Sequence, residues 1–200
     1  MRVFDAAFYD RAMAGRGALA RKPLAKSPWR PVYEEAARWI APNEPVFDLG
    51  CGTARFAHAL YAGGRYGDYT GVDFSPAALK VAERDLRKLN IRAAVVFERQ
   101  DLVDWTSPGL IAGNTIFTCL EVLEHLAGDL ELVARVPPGH RFIFSVPNYP
   151  SEAHLRDFRL LRDVWARYES LVVFNRWTLV DLDGQHVIHL LDSTRRTESW

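Results

Sequence analysis

The sequence is poor in features that mark several protein classes. It contains only two cysteines, Cys51 and Cys119, and they show neither CxxC spacing nor a pairing framework. A disulfide-stapled secreted scaffold and a cysteine-ligated iron–sulfur cluster both need more thiolates, so both are excluded. Because both cysteines lie in apolar runs, as thiols of a reducing compartment do, we expect a cytoplasmic protein.

An excess of charge of either sign is also absent. The 25 Lys and Arg residues balance 25 Asp and Glu residues, so no global field draws the chain to nucleic acid or to a membrane surface. No run reaches the roughly 18 apolar residues that cross a bilayer, and we expect no membrane partner. The first 22 residues contain arginines, as transit peptides do, but Asp5 and Asp10 are untypical of such peptides.

Internal repeats and low-complexity tracts are missing as well, and what remains is an alternation of short and long apolar patterns. Five short β-rich runs, bounded by Gly, Pro, Asp or Asn, predict buried strands at 45–50, 69–74, 93–98, 114–120 and 141–146. Helical spacing occupies the intervals 30–41, 54–63, 75–90 and 129–136. This alternation predicts an α/β fold with a mostly parallel sheet and helices on both faces, in one domain of 200 residues.

The end of the chain has a different rhythm. Residues 147–170 read as a loop followed by a helix. Two β-rich runs then follow within 171–195, separated at Asp183 and Gly184, a strong signal for a hairpin. We therefore expect two antiparallel strands appended to the parallel sheet.

Three arginines recur every three residues in the segment before that hairpin. Arg156, Arg159 and Arg162 would share one side of a helix, opposite Leu155, Phe158 and Trp165. Such a side is an ordinary solvated face or a surface on which a phosphate-bearing acceptor lies.

The stretch VFDLGCGTARFA, residues 46–57, places an acid and two glycines where an apolar run ends. In an open α/β sheet, ligands lie beyond the carboxyl ends of the strands, against a glycine turn and a helix N-terminus. Gly50 and Gly52 allow this close approach, and the small Ala54 lets the next helix pack closely. A dinucleotide-binding fingerprint is disfavoured, because Arg55 stands where its third glycine would be.

With the segments that follow it, this stretch resembles the first motif, D-x-G-x-G-x-G/A, of the class I S-adenosylmethionine-dependent methyltransferases. The resemblance covers roughly residues 45 to 150. It implies a doubly wound, Rossmann-like, mostly parallel seven-stranded sheet of order 3-2-1-4-5-7-6, in which the terminal hairpin supplies the antiparallel strand.

The resemblance also implies a cofactor site. GVDFSPAAL would supply an acid for the ribose hydroxyls, RQDLVDW an Asp and its neighbour at the adenine, and TCLEVLEHL backbone facing the methionine part. With the first motif, the implied cofactor-binding residues are Asp48, Gly50, Gly52, Asp73, Phe74, Asp101, Leu102, Leu120 and Glu121.

The chemistry of that cofactor agrees with these residue types. A cationic sulfonium, a ribose diol and an apolar purine favour carboxylates and apolar walls. Asp48, Asp73 and Asp101 are predicted at strand ends on one edge of the sheet. Any one of them alone is equally well explained as a solvated loop residue, but three in register beside a glycine loop favour a site.

Glu121-x-x-Glu124-His125, just past the fourth predicted strand, is the next informative feature. In similar small-molecule O-methyltransferases this pattern lines the acceptor pocket, which makes His125 and Glu124 the candidate catalytic residues, with His125 as base. In small-RNA 2′-O-methyltransferases a similar pattern joins a further histidine to bind a divalent metal, and His154 could supply it. The alternative metal ligands are therefore Glu121, Glu124, His125 and His154. A structural role, such as capping the next helix, also remains open.

The segment before the first strand carries Phe8, Tyr9, Trp29 and Tyr33. In the resembling family a variable helix there covers the site, so residues 1–30 are a hypothetical lid that excludes water; plain packing against the sheet is the alternative. The three parts expected within the domain are the N-terminal helical lid segment 1–44, the cofactor-binding core 45–146, and the acceptor-side loop, helix and hairpin 147–200.

The sequence therefore predicts an enzyme that transfers a methyl group from S-adenosyl-L-methionine to an oxygen or nitrogen of a small-molecule acceptor and releases S-adenosyl-L-homocysteine. The first alternative is an RNA or nucleotide methyltransferase of the metal-assisted 2′-O type, which the balanced charge disfavours. The second is a non-catalytic partner subunit that retains the fold.

Overall fold

A computed structural model describes residues 22–109 and 111–197 of the chain. The seven strands are β1 Val46–Leu49, β2 Tyr69–Asp73, β3 Val95–Arg99, β4 Ile116–Leu120, β5 Arg141–Pro147, β6 Val172–Asp181 and β7 Val187–Arg195. The helices are α1 Arg30–Arg38, α2 Arg55–Ala62, α3 Pro76–Leu86, α4 Asp129–Arg135 and α5 Leu161–Tyr168. Short 3₁₀ turns lie at Leu24–Lys26, Arg87–Leu89 and Leu123–His125.

The strands form one sheet of order β3-β2-β1-β4-β5-β7-β6. The first five strands are parallel to one another, and β7 runs antiparallel between β5 and β6. The expected order and the appended antiparallel pair are both confirmed. The carboxyl ends of β1, β2, β4 and β5 consequently meet at one edge, where the motifs of the sequence converge.

The central strands form because both of their faces are covered. Every residue of β1 and of β4 is buried, as the continuous apolar runs predicted for a parallel sheet. One core lies under α1, α2 and α3 and includes Ala36, Leu60 and Leu79. A second core lies on the opposite face, under α4 and α5, and includes Leu132 and Val164. Helices on both faces confirm the doubly wound architecture.

The terminal hairpin turns at the same edge of the sheet as the glycine loop. β6 and β7 are joined by five residues, because Asp181 pairs with Val187, and Gly184 adopts a φ of 83°. The connection is longer than the two-residue turn that Asp-Gly favours, and the Asp181 carboxylate accepts backbone N–H groups within it. β6 therefore brings the chain to this edge and β7 leads away from it, and the rings of Tyr149 and His186 lie 4.6 Å apart there.

The predicted arginine face is wrong. Helix α5 begins only at Leu161, and the chain from 155 to 160 is not helical. Arg156 turns inward to the buried Asp129, 3.2 Å away, whereas the side chains of Arg159 and Arg162 are largely exposed. The arginines do not share a surface because a long-range ion pair, rather than helical periodicity, sets the position of Arg156.

The two cysteines are free thiols, and both are buried. Of the helices in the described ranges, none has the length and apolarity that a bilayer crossing requires.

Asp48 lies inside the sheet rather than at its open edge, which corrects the expectation that it ends a strand. It is the third of the four residues of β1, and its carboxylate accepts hydrogen bonds from Tyr69 Oη at 2.5 Å and Thr118 Oγ1 at 2.6 Å. These donors come from the two strands that flank β1. Burial raises the pKa of Asp48 to about 6, although both hydroxyl donors act in the opposite direction.

This raised pKa gives a testable pH dependence. Between the ordinary carboxyl value of 3.8 and about 6, the folded chain binds more protons at Asp48 than the unfolded chain does. The contribution of Asp48 to the free energy of unfolding therefore falls as pH rises through this window, by at most about 3 kcal/mol, and is constant above it. We expect Asp48→Asn to remove this difference, so that wild type loses stability relative to the variant between about pH 4 and about pH 6.

Urea unfolding at several pH values, followed by circular dichroism, measures this difference. Asp68→Asn is the matched control, because Asp68 also accepts a backbone N–H near β2 but is solvent-exposed. A variant whose stability difference from wild type does not change with pH would contradict the assignment.

Candidate active site

The glycine loop between β1 and α2 turns sharply, and its backbone shows why small residues are needed. Gly50, Gly52 and Ala54 all have positive φ, at 78°, 53° and 56°. A Cβ on Gly50 would lie 2.5 Å from Cγ2 of Val122, so no larger residue fits there without a shift. A Cβ on Gly52 would meet nothing within 4 Å, so the loop presents open space on that side. The loop therefore leaves room for a ligand against its backbone.

Asp73, the last residue of β2, is tied to this loop. Its Oδ2 accepts the backbone N–H of Gly52 at 2.9 Å, and its Oδ1 accepts that of Ser75 at 2.9 Å. Ser75 in turn caps α3 by accepting the N–H of Ala78. The structure thus brings together two predicted site residues, the loop glycine and the acid after β2, at the edge of the sheet.

The other residues expected at the cofactor lie on the neighbouring strand ends. Phe74 follows β2 and is half-buried, and the backbone N–H of Gln100 joins the end of β3 to the Asp73 carbonyl at 3.1 Å. Asp101 is exposed, and its Oδ1 accepts the N–H of Val103, so its carboxylate stabilises its own turn. Leu102 is buried in the core under α4 and α5.

Glu121, immediately after β4, has a strained backbone with a φ of 60°. It is held by Ser145 of β5: the Glu121 N–H donates to Ser145 Oγ at 2.8 Å, and Ser145 Oγ donates to Glu121 Oε1 at 2.7 Å. The side chain is thereby directed next to Glu124. Burial, and then the charge of Glu124, raises the pKa of Glu121 well above its usual range.

Glu124 lies in the 3₁₀ turn after β4 and is 1% exposed. Neither of its carboxylate oxygens has a hydrogen-bond partner among the described residues. Burial raises its pKa, while its own backbone N–H and the nearby Arg156 act in the opposite direction. A buried acid with two unsatisfied oxygens is costly, so the site is built to receive a proton, a hydrogen-bond donor or a cation here.

Two histidines complete the cluster. Nδ1 of His125 lies 2.9 Å from the Ala153 carbonyl, and Nδ1 of His154 lies 3.1 Å from the Tyr149 carbonyl. Since a carbonyl only accepts, Nδ1 of each ring carries the hydrogen and each Nε2 presents a lone pair. Burial lowers the pKa of both histidines, which favours neutral imidazoles.

The three side chains converge on one point. One ligand atom each of Glu124, His125 and His154 lies within 4.8 Å of the other two, and His125 Nε2 is 3.6 Å from Glu124 Oε1. Three of the four predicted metal ligands are therefore brought together, while Glu121 lies outside this group. Burial raises the pKa of Glu124 to about 8, so its carboxyl holds a proton at neutral pH beside the two imidazole lone pairs, an arrangement that can pass on a proton or exchange it for a cation.

The aromatic residues before β1 border the same cluster. Tyr33 is half-buried beside Arg55, Glu121 and Asp48, and burial raises the pKa of its phenol. The indole N–H of Trp29 has no hydrogen-bond partner in the described part of the chain. Phe8 and Tyr9 lie outside the described residues, and Tyr33 packs against the core under α1, α2 and α3, so the lid stays a hypothesis.

Sequence reasoning missed three residues that shape the site. Ser145 and Tyr149 come from β5 and the loop after it, and a strand serine or a loop tyrosine carries no sequence signal of its own. Arg55 was noted only as a departure from a dinucleotide fingerprint. Its Nε–H donates to the Lys22 carbonyl at 3.1 Å and its Nη1 to Ser27 Oγ at 3.3 Å, which fastens the segment before α1 to the glycine loop.

Sequence comparison adds independent findings. Residues 40–127 match the family described as a methyltransferase domain. The chain is similar to a ubiquinone biosynthesis O-methyltransferase of Alkalilimnicola ehrlichii, with 34% identity over 55% of this chain and 44% of that protein. It is also similar to a trans-aconitate 2-methyltransferase of Sinorhizobium medicae, with 29% identity over 54% of this chain and 40% of that protein. The chain thus spans roughly half the length of the curated relatives it matches.

Solved structures share the fold over almost the whole chain. Magnesium protoporphyrin IX methyltransferase of Synechocystis, solved with S-adenosylhomocysteine, superposes with a TM-score of 0.67 and 18% identity over 97% of this chain and 96% of that chain. The N-methyltransferase NodS of Bradyrhizobium japonicum, solved with the same product, gives 0.65 and 14% over 94% and 96%. With the matching methyltransferase domain over residues 40–127, the seven-stranded sheet and the glycine loop tied to the acid after β2, the chain is similar to the class I S-adenosylmethionine-dependent methyltransferases and shares their fold.

Proposed function

We propose that the chain binds S-adenosyl-L-methionine and transfers its methyl group to an oxygen or nitrogen of a small-molecule acceptor, with S-adenosyl-L-homocysteine as product. One observation carries the proposal: the glycine loop, tied to Asp73, lies at the same sheet edge as the buried cluster of Glu124 and His125. A cofactor site and a proton-accepting site thus share one edge of the sheet.

The residues present fit the cofactor. The open space at Gly52 admits a ligand against the backbone, and Asp73 borders that space with a carboxylate suited to a diol. Leu102 and Phe74 provide apolar surface, and Asp101 would lie at the adenine. Leu120 and Glu121 lie at the methionine side in this proposal, whereas the carboxylate of Asp48 is held inside the sheet by Tyr69 and Thr118.

Methyl transfer to oxygen requires that the acceptor loses a proton. S-adenosylmethionine, when bound, supplies the activated methyl group. Neutral His125 has the correct tautomer to accept that proton at Nε2, which lies 3.6 Å from Oε1 of Glu124. Trp29 and Tyr33 exclude water from the same pocket in the lid hypothesis.

The named relatives support a small-molecule acceptor. Two of the similar proteins are named as methyltransferases of ubiquinone biosynthesis and of trans-aconitate, and both names denote small molecules. One similar structure is an N-methyltransferase, which keeps nitrogen among the acceptor atoms. We place this activity in the cytoplasm, in agreement with the two buried free thiols.

A metal-assisted RNA or nucleotide methyltransferase is the second candidate. The convergence of Glu124, His125 and His154 favours it, since two neutral imidazoles with anchored Nδ1–H groups and one carboxylate suit a first-row divalent ion. The balanced charge and the dispersed arginines do not favour a nucleic-acid surface. A non-catalytic subunit remains the third candidate, and it would bind cofactor weakly.

Asp73→Ala tests the cofactor site. Loss of hydrogen bonds to a charged group is expected to weaken S-adenosylmethionine binding by roughly 1–3 kcal/mol, as measured by isothermal titration calorimetry. Asp68→Ala is the control, because Asp68 accepts a backbone N–H of Ala94 near the opposite end of β2. Equal affinity in wild type and Asp73→Ala would show that the carboxylate does not contact the cofactor. Absence of heat with wild type would overturn the proposed function itself.

His125→Asn tests the base. General-base catalysis contributes about 10²–10⁴-fold, so we expect a loss of that size in kcat with little change in cofactor affinity. For wild type, kcat/KM should fall at low pH, because protonation of His125 removes the base. Burial lowers the pKa of His125, so the midpoint of this fall should lie below 6.5, the ordinary pKa of histidine. Transfer of radiolabelled methyl to a panel of phenols and amines measures both quantities. If kcat/KM of His125→Asn still fell at low pH as in wild type, the assignment of His125 as the base would be contradicted.

Chelation separates the first two candidates. If His125 acts as a base without metal, dialysis against EDTA leaves methyl transfer unchanged. If Glu124, His125 and His154 hold an ion, EDTA abolishes transfer, Mn²⁺ restores it, and calorimetry detects Mn²⁺ binding that Glu124→Gln removes. Oligonucleotide affinity that falls steeply with salt would further support the RNA candidate.

A further inference from the structure

The cluster of Glu124, His125 and His154 is built from two separate segments of the chain, which must be held in a fixed position relative to each other. The 3₁₀ turn Leu123–His125 follows β4, and the loop that carries His154 follows β5. The backbone joins them once, where the Leu155 N–H donates to the Glu124 carbonyl at 2.8 Å. The His125 ring joins them again through the Ala153 carbonyl. Both contacts involve residues of the cluster itself, and a third connection between the segments comes from a residue outside it.

Arg156 provides that connection. Its Nη1 donates to the Leu123 carbonyl at 2.8 Å and to the Leu126 carbonyl at 2.6 Å, on either side of Glu124 and His125. The Leu123 carbonyl also accepts the Leu126 N–H at 3.3 Å, so the guanidinium adds a second donor there and supplies one to the Leu126 carbonyl just past the turn. Since Arg156 is two residues after His154, one side chain bridges both segments.

A buried carboxylate holds Arg156 in this position. Asp129, at the start of α4, is 0% exposed and lies 3.2 Å from Arg156 Nη1. Arg167 donates to both oxygens of Asp129 at 2.6 Å, and Tyr168 Oη donates to Oδ2 at 2.7 Å. Asp129 is therefore the hub from which α4, α5 and the loop after β5 are oriented.

Geometry, rather than stabilisation energy, explains why charged side chains form this hub around Asp129. Burying an ion pair seldom stabilises a fold more than apolar residues of the same volume would. A planar guanidinium, however, fixes several acceptors in direction as well as distance, which lysine does not. The arrangement is thus suited to setting the position of the turn.

We propose that Arg156 is a positioning residue of the methyl-transfer site, which joins the turn bearing Glu124 and His125 to the loop bearing His154 and thereby sets the distance between them. The inference rests on the proposed function, because the positioned groups are its base and its neighbours. Arg156 itself contacts backbone carbonyls and Asp129. Removal of the Arg156 side chain should leave the glycine loop and Asp73, the cofactor half of the site, unchanged.

Arg156→Ala tests this role, with Arg167→Ala as the matched control. Both variants remove one cationic partner of Asp129, but only Arg156 reaches the carbonyls of the turn. We expect Arg156→Ala to bind S-adenosylmethionine within about twofold of wild type and to lose roughly 100-fold in kcat, the effect of a misplacement near 1 Å. Added ethylguanidine should restore part of the rate in Arg156→Ala only.

A spectroscopic readout makes the test independent of the acceptor. Long-range ¹H–¹⁵N spectra report which ring nitrogen carries the hydrogen, and wild type should show the Nδ1–H form at His125 and His154. Arg156→Ala should lose this form at His125, and Arg167→Ala should retain it. If Arg156→Ala does not fold, Arg156→Lys keeps the charge beside Asp129 and should fold with a reduced kcat.

Equal kcat losses in the two alanine variants, or an unchanged His125 tautomer in Arg156→Ala, would overturn the positioning role. Failure of the proposed function gives a different result, because wild type itself would then show no cofactor heat and no methyl transfer.

Discussion

The carboxylate of Asp73 is the contact on which the rest of the site depends. By accepting the N–H groups of Gly52 and Ser75, it couples the turn after β1 to the start of α3. Holding the glycine loop in one conformation with positive φ angles costs conformational entropy, and the hydrogen bond to the Asp73 carboxylate offsets part of this cost. Without this coupling the loop would have many conformations, and its open side would not be a defined binding surface.

The part of the site around Glu124 follows a different physical principle. Around Glu124 the fold leaves polar atoms without partners, whereas around Asp73 it satisfies them. The cost of the unsatisfied oxygens is met by the large cores on both faces of the sheet. Around Asp73 the carboxylate oxygens are thus hydrogen-bonded, whereas the buried carboxyl of Glu124, whose pKa burial raises, keeps its capacity to bind a proton, a donor or a cation.

The sequence predicted the sheet well because its strands are buried on both faces, which leaves continuous apolar runs such as β4. It also predicted the glycine loop and Asp73, whose roles are local or follow directly from strand order. Periodicity failed for Arg156, because its position depends on Asp129, which is 27 residues away and shows its importance only in three dimensions. Asp48 was misplaced for a similar reason, since its donors Tyr69 and Thr118 come from neighbouring strands.

The five-residue connection between β6 and β7 illustrates how the fold separates chemistry from selectivity. It lies at the edge of the sheet where β6 ends and β7 begins, and it is attached to the site through Asn148, whose side chain accepts the Val187 N–H, and through the ring of Tyr149. No strand of the cofactor half pairs with it. Under the proposed function, insertions or exchanges at this hairpin tip would therefore alter the acceptor side of the site and leave the glycine loop and Asp73 unchanged, so one scaffold could diversify its chemistry through a single exposed turn.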